Sequence, residues 1–203
     1  MNKKELELLL QRIPEHPSPR PGLEQYTIPA NVAATVLHMA VSLGDIVDRE
    51  VADLGCGTGR LGLGAAILGA RRVHLVDLDA VALNVARKAA VELGLENVKF
   101  HLMDVREFAE RVNTVVQNPP FGAQRRGADR PFLEKKTEIA RVIYTMHNAP
   151  TRSFVVEYLR SRGWRVTHEL LFKFPIRRMF RFHRRRTAEV DVVLIRAIKE
   201  GED

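Results

Sequence analysis

The stretch VADLGCGTGRLGLG (Val51–Gly64) constrains the fold more than any other part of the chain. An apolar, β-branched run passes directly into a glycine-rich turn, and the turn opens directly into an apolar helical pattern. A strand, a tight loop and a helix folded back on the strand satisfy that order, because glycines accept sharp turns and let a ligand approach the backbone amides and the helix N-terminus. The rest of the chain repeats the alternation. Strands are expected at 50–54, 73–77, 98–102 and 114–117, with helices at 32–42, 61–68 and 80–93. The pattern continues with a helix at 132–140, a strand at 141–147, a helix at 151–162 and closing strands at 164–172 and 189–198. Such alternation means right-handed βαβ units: an α/β fold with a mostly parallel sheet and helices on both faces. With 203 residues, one compact domain is expected from Leu23 to Asp203. Residues 1–22 are expected to hold a helix at 2–12 and a proline-rich arm, PEHPSPRPG (Pro14–Gly22), that cannot continue it.

Gly57, Gly59 and Gly62 also satisfy the G-x-G-x-x-G dinucleotide pattern, with Asp77 about 20 residues on to hold a ribose, so on this loop alone NAD stays open. Two details favour S-adenosylmethionine. Asp53 stands in a D-x-G-x-G-x-G arrangement ahead of Gly55, Gly57, Thr58 and Gly59, where an acid suits a cationic ligand and would repel a pyrophosphate. Asp77, followed by Leu78, can accept both ribose hydroxyls, and Asp104 can accept from the adenine amino group with the Val105 amide beside it. Both acids fall at the carboxyl ends of strands, where open α/β sheets bind ligands. Asp79 reads as the cap of the next helix.

TVVQNPPFGAQ (Thr114–Gln124) ends the next strand in the same crevice. The amine of adenine is a poor nucleophile because its lone pair is delocalised into the ring. A pair of acceptors that hold both N–H bonds turns the lone pair outward and stabilises the developing positive charge. Asn118 offers a side-chain carbonyl, Pro119 a backbone carbonyl, Pro119 and Pro120 rigidity, and Phe121 a ring to stack on a flipped-out base.

The formal charge of +7 favours a polyanionic partner, and the distribution of that charge is more telling than its size. KFPIRRMFRFHRRRTAE (Lys173–Glu189) places Arg177, Arg178, Arg181, His183, Arg184, Arg185 and Arg186 among aromatic residues, a composition suited to phosphates and unpaired bases. Arg125, Arg126 and Arg130 extend the same surface. Cys56, the single cysteine, excludes an internal disulfide and a cysteine-rich zinc cluster, and no metal site is expected. The N-terminus is unlike a signal peptide, so a cytoplasmic location is expected.

Together these motifs resemble the Class I S-adenosylmethionine-dependent methyltransferases with a [DNS]-P-P-[FYW] motif. Within them the chain is similar to the small archaeal and eukaryotic adenine-N6 methyltransferases of small-subunit ribosomal RNA, the methyltransferase-like protein 5 group. The resemblance runs from LEQY (Leu23–Tyr26) through ADLGCGTG, NPPFG and PTR (Pro150–Arg152) to FHRRR and EVDVVLIR. It implies a seven-stranded Rossmann-like sheet in the order 3-2-1-4-5-7-6, with the last strand antiparallel. In the family, LEQYPT packs over the cofactor, which implies a contact from Gln25. Here the chain reads Tyr26-Thr27-Ile28, so either Thr27 serves from a shifted position or Ile28 contributes its backbone alone. The family also implies a small zinc-containing methyltransferase activator that adds a strand at the sheet edge formed by Val98–Leu102. Two other readings remain: methylation of a protein glutamine amide, and a noncatalytic RNA-binding assembly factor.

Overall fold

The computed structural model describes residues 1–20, 24–121, 127, 129–177 and 187–201. Seven strands form one sheet: β1 (Glu50–Leu54), β2 (Arg72–Asp77), β3 (Val98–Leu102), β4 (Thr114–Gln117), β5 (Val142–Asn148), β6 (Trp164–Arg177) and β7 (Thr187–Lys199). Their order is β3-β2-β1-β4-β5-β7-β6. The pairs from β3 to β5 are parallel, whereas β7 runs antiparallel to both β5 and β6. The expected Rossmann-like α/β architecture is therefore present, with β7 as the reversed strand.

Among the described residues six α-helices cover the sheet: α1 (Lys3–Gln11), α2 (Ala30–Ser42), α3 (Arg60–Ile67), α4 (Ala80–Glu92), α5 (Arg130–Ile139) and α6 (Arg152–Arg160). The first four pack on one face, through residues such as Leu37, Leu63 and Leu83, and the last two on the other, through Leu133, Val155 and Leu159. Central strands such as β1 and β4 are buried almost throughout, as a sheet covered on both faces requires. Helix α1 begins with a reciprocal cap between Asn2 and Glu5. Its Leu6 and Leu10, with Ile13 just beyond, lie inside the core shared with α2 and α3. The proline-rich stretch that follows reads locally as a linker, yet it returns the chain to the same core.

β6 and β7 are longer than the alternation at 164–172 and 189–198 suggests. The β5–β7 ladder stops at Asn148↔Val192, while β6 and β7 go on pairing with each other from Lys173↔Asp191 to Arg177↔Thr187. Phe174 and Val190 root this ribbon in the core, and the apolar alternation of Phe172, Phe174 and Ile176 continues along it; what hides the strand from a sequence reading is Pro175, which reads as a strand breaker, and the dense positive charge that follows. At the opposite end of the sheet, a buried network fastens the α2–β1 connection. Arg196 Nε donates to Asp45 Oδ2 at 2.8 Å, the Tyr144 hydroxyl also donates to that carboxylate, and Thr114 Oγ1 donates to the Asp45 carbonyl at 2.6 Å.

Candidate active site

β1 to β4 all end on one side of the sheet, and a cavity of about 390 Å³ lies between their ends. Its walls are the glycine loop after β1, the residues that follow β2 and β3, Asn118 and Pro120 after β4, Glu24–Ile28 ahead of α2, and Phe132 of α5. Gly57 has φ +54°, a conformation few other residues adopt, and no atom stands within 4 Å of the place where its side chain would begin. Its N–H donates to Asp77 Oδ2 at 2.7 Å. Gly62 has a different reason to be glycine: a Cβ there would stand 2.2 Å from Leu75, so the glycine lets α3 lie close on β2.

The acids at the strand ends are in unlike states. Asp53 is fully buried and accepts one hydrogen bond, from Gly62 N–H at 2.7 Å. Burial lifts its pKa to about 7 against that hydrogen bond, and nearby Asp77 pushes the same way. Burial also raises the pKa of Asp77, opposed by the N–H groups of Asp79 at 2.9 Å and Gly57. Asp79 caps α4 and also takes Gln25 Nε2 and Arg20 Nη2, each at 2.7 Å. Burial alone would raise its pKa, but these donors outweigh it and hold the carboxyl well below the usual range. Asp104 caps the 3-10 turn Val105–Glu107, and the Arg106 guanidinium lies across it at 2.7 and 2.9 Å. That pair lowers the Asp104 pKa. Because it faces solvent, it is weak and easily opened.

Of the expected cofactor and catalytic residues, Gln25, Thr27, Asp53, Gly55, Gly57, Thr58, Asp77, Leu78, Asp104, Val105, Asn118 and Pro120 line the cavity. Three are placed otherwise. Gly59 packs toward Ala86, Leu63 and Leu75, and Pro119 is buried behind the lining. The Phe121 ring lies 5.2 Å from that of Tyr26 and 6.4 Å from that of Phe174. Gln25 faces the cavity with its side chain engaged, donating to Asp79 and accepting from Arg20 N–H at 2.7 Å. Arg177 ends β6, whereas Arg178, Arg181, His183, Arg184, Arg185 and Arg186 lie outside the described residues, as do Arg125 and Arg126.

Sequence reasoning missed several lining residues. Buried Arg60 donates to the carbonyls of Ile28 at 2.7 Å and Ile13 at 2.9 Å, tying down both ends of the intervening segment. His16 lines the cavity from within that segment, 3.4 Å from Asp79. Neither has a local signal, because each acts on chain distant in sequence. Behind Asn118, the ends of β4 and β5 are joined on Thr145 Oγ1, which lies 2.9 Å from Gln117 Nε2, 2.9 Å from Lys136 Nζ and 2.8 Å from His147 Nε2. Burial pushes the pKa values of Lys136 and His147 well down.

Buried polar atoms without a hydrogen-bond partner concentrate at the cavity. Of seven such side-chain atoms among the described residues, five belong to lining residues: His16 Nε2, Tyr26 Oη, Thr58 Oγ1, Arg60 Nε and Asn118 Oδ1. Folded proteins rarely leave such groups unpaired unless a ligand completes them.

Residues 32–137 match the Methyltransferase small domain family. The chain belongs to that methyltransferase family. This closes the dinucleotide alternative that the glycine pattern alone left open. An uncharacterised protein of Methanocaldococcus jannaschii is 42% identical, covering 99% of this chain and 96% of its own. The rRNA N(6)-adenosine-methyltransferase METTL5 of Danio rerio is 32% identical over 97% of this chain and 98% of its own, which places the chain in that group of the methyltransferases. A crystal structure from Pyrococcus horikoshii, described as a candidate RNA methyltransferase, superposes with a TM-score of 0.92 at 42% identity, covering 98% of both chains.

The raised pKa of Asp53 gives this methyltransferase a measurable signature. The folded state holds the proton more tightly than the unfolded chain, whose aspartate titrates near about 3.9. The stabilisation is therefore complete below that value and is lost as pH rises through about 7. In urea titrations of the ligand-free protein, Asp53→Asn is expected to gain stability relative to wild type between pH 5 and pH 8. A constant difference would place the Asp53 pKa below that window.

Proposed function

We propose that this methyltransferase transfers the methyl group of S-adenosylmethionine to the exocyclic N6 of an adenosine in small-subunit ribosomal RNA. The observation that carries the reading is Asn118 Oδ1, an acceptor at the end of β4, buried and without a partner. An acceptor left open in such a place suits an N–H bond that arrives with the substrate. The METTL5 relative is named for N6-adenosine methylation of rRNA, and a basic chain suits an RNA substrate better than the amide of a peptide.

S-adenosylmethionine supplies a methyl carbon activated by its sulfonium charge. The cavity fits it by the chemistry of its donors and acceptors. Asp53 and Asp77 bring negative charge to the end where the glycine loop opens, which suits cationic amino and sulfonium groups. Asp77 accepts ribose hydroxyls, Asp104 with Val105 faces the adenine ring, and Leu78 supplies apolar contact. Thr58 Oγ1, buried and unpaired, adds a hydroxyl at the start of α3, while Gln25 and Thr27 close the cavity from above.

At the acceptor, Asn118 Oδ1 takes one N–H bond of the target amine, and the backbone carbonyl of Pro119, a residue buried next to the lining rather than in it, would take the other. The lone pair of the amine then points at the methyl carbon. The N–C bond forms as the C–S bond breaks toward sulfur, and the amine afterwards releases one proton to water. Positive charge appears on nitrogen in between, and the two fixed acceptors stabilise it without reorganising. Phe121, with one side against Tyr26, frames the pocket for the flipped base. Asn118→Ala is expected to lower kcat by about 100-fold or more with nearly unchanged cofactor affinity. Asp77→Ala should instead weaken cofactor binding by about tenfold or more. Equal losses of cofactor affinity in the two variants, read by calorimetry, would refute this division.

Two partners extend the reading. The basic segment from Arg177 to Arg186 joins two strands whose ribbon rises on the cavity side of the sheet. Arg177, Arg178, Arg181, Arg184, Arg185 and Arg186 are proposed to bind RNA phosphates, with His183 a contact to a phosphate or a base. Replacing Arg184, Arg185 and Arg186 by alanine should make the salt dependence of RNA binding shallower by about two units of log–log slope. An unchanged slope would return the segment to an ordinary solvated loop.

The second partner is the zinc-containing methyltransferase activator, proposed for the outer edge of β3. β3 pairs with β2 on one side and has no described strand on the other. Val98 and Phe100 are half-buried there, and Leu102 is 60% exposed. An apolar strand edge of this kind invites an added strand. Leu102→Asp leaves the core untouched and should abolish co-purification with the activator of the same organism. The proposal fails if wild type does not co-purify with that activator and is as active alone as with it.

A further inference from the structure

Two of the unpartnered atoms at the cavity belong to the NPPF corner: Asn118 Oδ1, and the hydroxyl of Tyr26, whose ring lies against Phe121. Glu24, at φ +51°, kinks the chain so that Tyr26 N–H donates back to the Glu24 carbonyl at 2.9 Å. The kink lays the Tyr26 ring against Phe121, with the ring planes at 49°. Phe121 N–H comes up to the Tyr26 hydroxyl oxygen, yet it is committed to Glu24 Oε2 at 2.6 Å. The hydroxyl proton has no acceptor. Burial, with the Glu24 charge nearby, pushes the Tyr26 pKa up, so the group stays a neutral donor at any working pH.

The cavity lining therefore includes a buried donor, Tyr26 O–H, on a ring that packs against Phe121, and a buried acceptor, Asn118 Oδ1, at the start of the same NPPF stretch. Adenine presents the complement. Its amine donates, and a ring nitrogen beside the amine accepts: N1 on one side, N7 on the other. Uracil offers a carbonyl and an N–H in the corresponding places, so both of its groups would meet the wrong partner. Left buried and unpaired, such groups discriminate strongly against the wrong base.

We propose that Tyr26 is a specificity-determining residue of the methyltransferase, donating its hydroxyl proton to the ring nitrogen beside the target amine, N1 or N7. The proposal rests on Asn118 as the acceptor of that amine. Tyr26→Phe keeps the ring, its contact with Phe121 and the core, and removes only the donor. The test measures kcat/KM on an RNA fragment spanning the methylated adenosine, with adenosine, 1-deazaadenosine or 7-deazaadenosine at that position. Wild type should prefer adenosine to one of the two analogues by about tenfold. Tyr26→Phe should lose about the same factor on adenosine and nothing further on that analogue. Cofactor affinity and melting temperature should stay at wild-type values. Coupling to the 1-deaza analogue assigns N1, and coupling to the 7-deaza analogue assigns N7. Full activity of Tyr26→Phe on adenosine overturns the proposal, and so do losses that multiply with both analogues. Failure of the Asn118 reading is distinct, because Asn118→Ala would then retain kcat whatever Tyr26 does.

Discussion

The parallel pairing of β3, β2, β1, β4 and β5 is the constraint on which the site depends, because it turns every strand end and every following loop toward one crevice. Asp53, Asp77, Asp104 and Asn118 come from four different strands or strand ends and are far apart in sequence. They meet only because the strands share a direction and a register, Val51 beside Val73 and Thr114, and Val73 beside Val98. The same pairing buries β1 on both faces and carries Asp53 into surroundings where a carboxylate is costly. Its raised pKa is a consequence of the sheet before it is a feature of the chemistry.

A cavity whose side-chain atoms are short of partners must be held open by other contacts, since each unpaired group favours collapse. Two charged residues provide them. Arg60 fixes the carbonyls of Ile13 and Ile28, and Asp79 gathers Arg20, Gln25 and the first turn of α4. Between them the segment ahead of α2 is fastened at both ends and near its middle, so Gln25, Tyr26 and Thr27 form a wall that does not depend on the ligand. Preorganised polar groups of this kind do not have to reorient as charge develops. Folding meets their cost elsewhere, and Leu6, Leu10 and Ile13 of the N-terminal region contribute to that by filling the first core.

The sheet and the acids were legible because their signals are local. A β-branched run, a glycine turn and a strand-end aspartate each occupy a few adjacent residues. What escaped was long-range. The family resemblance points to Gln25 and the residue lines the cavity, but nothing in LEQY reveals that its amide bridges Asp79 and Arg20. Gly59 looks equivalent to Gly57, yet its missing side chain makes room for α4 and β2 rather than for a ligand. Phe121 reads as a stacking ring, whereas its position depends on Tyr26 and Phe174, distant along the chain. Arg60 looks like any first residue of a helix; the carbonyls that need it lie 32 and 47 residues away.

In the proposed reading, the ribbon formed by the ends of β6 and β7 connects the NPPF corner with the basic segment Arg177–Arg186. It continues for five residue pairs past the last β5–β7 pair, about 16 Å at the usual rise per residue. Its base is not loose. Phe174 is 2% exposed and packs toward Phe121, so the ribbon is rooted in the aromatic cluster beside the two prolines. The proposed roles would then divide as nucleic-acid enzymes require: phosphate contacts from the basic segment would set register, while groups at the buried root would read and hold a single base. On that proposal the root of the ribbon, through the contact of Phe174 with Phe121, would support the target-base pocket rather than merely extend the sheet.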